Sequence, residues 1–105
     1  MTSQVSFIVR LPTRPEQREA MRSALYGVLE QMAQEPDFIN TFVHEDLDAP
    51  DTLVLYETWA CTKEYFIAHH LGKPYRQQYE ASLEQYLSKA RTIEFLKPLS
   101  TISPN

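Results

Sequence analysis

The stretch YETWACTKEYFIAHH, from Tyr56 to His70, gathers Glu57, Trp59, Cys61, Tyr65, Phe66, His69 and His70. Two of these types move protons near neutral pH. An imidazole titrates there and can act as a general base, and a carboxyl group holds its proton more tightly once burial has raised its pKa. Glu57 therefore reads as a proton acceptor, or else as one half of a structural ion pair or hydrogen bond. Trp59 reads as a pocket wall that orients a planar molecule, or as a core anchor whose indole N–H finds an acceptor. Further on, Tyr75, Tyr79 and Tyr86 fall on one side of a helix. Each phenol needs a hydrogen-bond partner when buried, so this stripe suits a partly wet pocket better than a plain core.

Adjacent residues on a regular helix differ by about 100°, so only one of His69 and His70 can point inward. His69 shares a side with Tyr65 and Phe66, at spacings of four and three, and the spacing predicts that it is the inward one. The candidate catalytic pair is then His69 and Glu57. Trp59, His70, Tyr65, Phe66, Tyr75 and Tyr79 are the candidate substrate contacts. No metal is expected: neighbouring histidines cannot reach one ion from a regular helix, whereas positions i and i+4 can, and His44 lies on another element. Cys61 has no base beside it in sequence and reads as a small buried hydrophobe. Arg10 can pair with an acidic group or meet an anionic substrate.

These residues need elements to hold them. Val5, Phe7, Val9 and Leu11 alternate within QVSFIVRL, residues 4–11, as on a half-buried strand. TRPE then offers a helix start, with Thr13 as N-cap, Pro15 in the first turn and Glu16 at the capping-box position. Met21, Ala24, Leu25, Val28, Leu29 and Met32 form one apolar stripe on a helix of about 20 residues, which Pro36 stops. Arg14, Arg18 and Arg22 alternate with Glu16 and Glu19 as a solvated face. Residues 38–47 and 51–60 read as a hairpin around an Asp- and Pro-bearing turn. Thr62 can cap a short second helix, Lys73 to Ser88 reads as a third, and residues 91–99 as the last strand. The order βαββααβ predicts an α+β, ferredoxin-like domain with a four-stranded antiparallel sheet and helices on one face. The core spans about residues 4–99 of a single domain, 1–105, with a short tail at 100–105. Val54 and Tyr56 make the other sheet face apolar as well. A second copy of the chain is the simplest cover, so a homodimer is expected.

Composition narrows the partners. The 105 residues carry a net charge of −4 and no dense basic patch, which disfavours nucleic acid. No apolar run is long enough to cross a membrane, no export signal is evident, and the single cysteine fits a reducing compartment. A cytoplasmic protein is expected.

The strand order, the hairpin EDLDAPDTLVLYETW with its acidic turn and Glu-x-Trp end, and HHLGKPY, a His followed by Pro and an aromatic residue, resemble the antibiotic biosynthesis monooxygenase family from about Val5 to Leu99. The resemblance implies a dimeric α+β barrel with a pocket between sheet and helices in each subunit. It also implies a cofactor-independent monooxygenase acting with O2 on a small aromatic or quinol-type molecule, in which an inward histidine takes a phenolic proton. A haem-degrading activity fits poorly. Relatives of that kind place an iron-ligating His on the helix that here runs from Lys73 to Ser88 without one, and an Asn on the first strand, where this chain has Ser6 and Arg10. A non-catalytic small-molecule-binding or stress-associated barrel, or an isomerase of a small sugar-like metabolite, are the alternative readings.

Overall fold

In a computed structural model, residues 3–104 are described; Met1, Thr2 and Asn105, the last residue of the expected tail, lie outside the described residues. The alternating segment becomes β1, Val5–Pro12, with Val5, Phe7, Val9 and Leu11 buried. Thr13 does not cap the helix that follows. Its hydroxyl donates to the Leu11 carbonyl at 3.0 Å, and its backbone bridges to Leu87. The chain instead enters through a single 3₁₀ turn at Pro15–Gln17, where the fixed φ of proline suits a first turn. Helix α1, Arg18–Met32, then buries Met21, Leu25, Val28, Leu29 and Met32.

Strands β2 (Phe38–Glu45) and β3 (Thr52–Trp59) form the hairpin, with a bulge between Phe38 and Asn40. The short α2, Lys63–Tyr65, is capped as expected: the Thr62 hydroxyl accepts the Tyr65 N–H at 3.0 Å. It runs into a π-helical turn, Phe66–His70, and then α3, Pro74–Tyr86, and β4, Thr92–Leu96. All strand pairs are antiparallel, in the order β2-β3-β1-β4. This is the expected α+β, ferredoxin-like fold. Register sets Glu57 and Trp59 opposite Phe7 and Val5. Because strand side chains alternate, all four lie on the face covered by helices. The opposite face carries a Ser6–Thr58 hydroxyl pair at 2.8 Å and exposed Phe42 and Tyr56.

The π-turn rearranges the histidines. The Leu71 N–H donates to the Phe66 carbonyl, five residues back, at 3.0 Å, which widens the turn beyond 3.6 residues. Phe66 and His70, four apart, now share the inward side. Tyr65 and His69 face solvent and stack on each other with centroids 4.1 Å apart. The expectation that His69 points inward is therefore corrected: it counted Tyr65 as an inward residue, and Tyr65, four before His69, faces solvent.

Candidate active site

Glu57 is a charged group held in the core at 5% exposure. The indole N–H of Trp59, two residues along the same strand face, donates to its Oε1 at 3.1 Å. Burial pushes the Glu57 carboxyl up from its ordinary range, while this hydrogen bond and the nearby positive charges of Arg76 and Arg91 act in the opposite direction. Desolvation wins. The result is a carboxylate with a fixed donor on one oxygen and a raised affinity for a proton.

Between sheet and helices, Glu57 borders a narrow cavity of about 20 Å3, together with Phe7, Phe66, Arg76, Tyr79 and Arg91. That is room for about one water molecule. Burial raises the Tyr79 phenol to about 12, so at neutral pH it is uncharged and able to donate. Outside Tyr79 lies a groove of about 270 Å3 between α1 and α3, which shares Val28 and Tyr79 with the cavity wall and also touches Tyr75. The Tyr75 hydroxyl is buried without a partner. A polar-rimmed groove thus adjoins the cavity, with Tyr79 in the wall of both.

Arg76 and Arg91 were missed in the sequence. Arg76 is buried; its Nη1 lies 3.3 Å from the Met32 sulfur, its Nη2 lies 3.5 Å from Glu80, and its Nε has no partner. Arg91 approaches from the segment before β4 and contacts both Glu80 oxygens, at 2.9 and 2.6 Å. One signal was legible: position 76 lies three before Tyr79 and seven before Leu83, on the apolar stripe of α3, where a charged residue is out of place.

His70 occupies the neighbouring corner at 3% exposure. Its ring lies 4.5 Å from that of Trp59 and its Nε2 is 2.9 Å from Asp37 Oδ2. Its Nδ1 is 3.2 Å from Glu35 Oε2, off the line of a hydrogen bond, and Lys73 holds that carboxylate at 2.7 Å. Cys61 is buried beside them, and burial together with the Asp37 carboxylate pushes its thiol up. Of the expected site residues, the structure brings Glu57, Trp59, Phe66, Tyr79 and His70 together and sets Tyr75 at the groove. Tyr65 and His69 lie outside, on the solvent side of the π-turn. Arg10 is half-exposed and reaches Asp46 at 3.8 Å, away from the cavity. The basic residues of α1 are tied to the hairpin rather than free, through Arg18–Asp51 and Arg22–Glu45 pairs.

Known proteins share this fold. The Mycobacterium tuberculosis protein named "Putative monooxygenase Rv0793" is 28% identical over 103 residues, covering 98% of this chain and 99% of its own length. Its structure superposes with a TM-score of 0.82 at 27% identity, over 96% of this chain and 100% of that one. A structure titled "Putative antibiotic biosynthesis monooxygenase from Nitrosomonas europaea" matches with a TM-score of 0.83 at 20% identity, covering 94% of this chain and 93% of that one. At that identity it speaks for the fold alone. The sequence profile described as "Antibiotic biosynthesis monooxygenase" matches residues 5–82. That span runs from β1 into α3 and takes in Glu57, Trp59, Phe66, His70, Arg76 and Tyr79. The chain belongs to the antibiotic biosynthesis monooxygenase family.

Proposed function

We propose that this protein is a monooxygenase that oxidises a small aromatic or quinol-type molecule with O2, the substrate itself supplying the electrons. The observation that carries the reading is Glu57: a buried carboxylate with raised proton affinity, held by Trp59 in the wall of an aromatic-lined cavity. Glu57 takes the proton of a phenolic substrate, the role the sequence had given to an inward His69. Arg76 and Arg91 supply positive charge beside the phenolate that forms, and a deprotonated quinol is electron-rich enough to reduce oxygen. For a hydroquinone the balance closes without another reductant. Hydroquinone plus O2 gives a hydroxyquinone plus water, with one oxygen atom on the ring, the other in water, and all four electrons from the substrate.

A ring does not fit in about 20 Å3, so binding requires the wall to open. Tyr79, between cavity and groove, and Arg76, resting on the flexible side chain of Met32, are the side chains placed to move. Oxygen consumption with a panel of hydroquinones tests the proposal. The expected result is uptake above the spontaneous rate, lowered about 100- to 10,000-fold in Glu57→Gln, as loss of a general base typically does. Binding of the same compounds without oxygen uptake would leave a small-molecule carrier instead.

A further inference from the structure

Three donor atoms converge at the corner where β3 hands over to the π-turn. The Asp37 carboxylate comes from the α1–β2 connection, the Cys61 thiol from the residues after β3, and the His70 imidazole from the π-turn; the three ligand atoms lie within 4.8 Å of one another. We infer that Asp37, Cys61 and His70 bind a zinc ion, with a fourth position open to water. The donor set argues for the metal. A thiolate with an imidazole suits zinc, whereas sites for magnesium or calcium are built from oxygen alone. Zinc–ligand bonds of about 2.0–2.3 Å in a tetrahedron place ligand atoms roughly 3.5 Å apart. The trio is therefore within about 1.3 Å of coordinating distance, and the His70–Asp37 pair, at 2.9 Å, needs to open slightly.

The surroundings supply what a metal-bound histidine requires. With Nε2 turned toward Asp37, the other ring nitrogen, Nδ1, lies 3.2 Å from Glu35 Oε2 and has no hydrogen-bond partner of its own. Glu35 is in turn fixed by Lys73. Metal-binding histidines commonly donate their free N–H to a carboxylate placed in this way, so a small ring rotation on coordination both frees Nε2 and satisfies Nδ1. Charge also balances. Zinc binding releases the thiol proton to solvent, leaving one thiolate and one carboxylate against the dication. The indole of Trp59 lies against His70 and hydrogen-bonds to Glu57, so it stands between this corner and the cavity. Zinc has no redox chemistry and leaves the electron balance of the oxidation unchanged; its role is to pin three chain segments behind the cavity wall. The rule that adjacent histidines cannot share a metal still holds. The ligands come instead from three separate segments, which spacing along one helix does not reveal.

Cobalt(II) serves as a coloured substitute for zinc in a titration of the 105-residue protein. Expected are one equivalent bound, a thiolate-to-cobalt charge-transfer band, the intense visible bands of a tetrahedral site, and loss of all of these when zinc is added. Cys61→Ser should abolish the charge-transfer band, and Asp37→Asn should weaken binding at least tenfold, each variant being checked for native secondary structure. His69→Ala should bind as the wild type does. Absence of the band in the wild type would overturn the inference, as would wild-type cobalt spectra in Cys61→Ser.

Discussion

Because the folded chain surrounds Glu57 with apolar side chains, it holds that proton to higher pH than the unfolded chain does. The folded state then binds more protons across the interval between the two pKa values. The stability this group contributes is full below the ordinary value of 4.5 and is lost as pH rises through the folded value. Glu57→Gln removes the loss. Its denaturant midpoint relative to wild type should rise from pH 4 to pH 8 even as its oxygen uptake collapses, and a constant difference across that range would contradict the burial argument. With the proposed role as proton acceptor, activity and stability would oppose each other at this one side chain, as they do at catalytic residues placed in a core. The same position shows how much a single residue discloses. Glu57 and Trp59 were identifiable because a strand alternates strictly and both had to share its covered face. The buried guanidinium of Arg76 showed only in its place on the α3 stripe, a faint signal because the long side chain of an arginine ordinarily leads to solvent.

At the scale of elements, the turn from Phe66 to His70 buries one histidine and exposes the other. His69→Ala should change stability by no more than about 0.5 kcal/mol and leave oxygen uptake intact, since it removes only an exposed ring stacked on Tyr65. His70→Ala should cost about 2 kcal/mol or more, because it strips the partner from Asp37 and opens a hole beside Trp59. Urea unfolding of the two variants compares them directly, and equal costs would rule out the inward placement of His70. Element order and the four strands were legible within a few residues, because periodicity two and the apolar stripe of α1 survive in the fold. The π-turn was not. One extra residue per turn leaves no mark in composition, and its effect is visible only through the Leu71–Phe66 hydrogen bond. Thr13 was misread for a related reason: the capping pattern was present, but a tertiary bridge to Leu87 claimed that backbone first.

For the whole molecule, one sheet face is covered by helices while the other exposes Phe42 and Tyr56, whose rings lie 6.4 Å apart. No helix among the described residues is long and apolar enough to cross a membrane. The homodimer proposed from the sequence would use this exposed face, with Ile8 and Val54 alongside the two rings. Light scattering after size exclusion at low micromolar concentration should give twice the chain mass, and Tyr56→Asp should halve it without loss of secondary structure. A wild-type monomer would discard the dimer.

The strand order also governs how the chain is made. β1 is synthesised first yet ends in the interior of the sheet, where residues 6–10 pair with residues 92–96. Until β4 emerges from the ribosome, one edge of β1 offers a row of unpaired amide groups to any other nascent chain. A version ending at Ala90 should therefore accumulate as insoluble material, and a separate peptide spanning residues 91–104, supplied during refolding, should recover soluble protein. If the shortened chain is soluble and folded without the peptide, β4 is not what protects that edge.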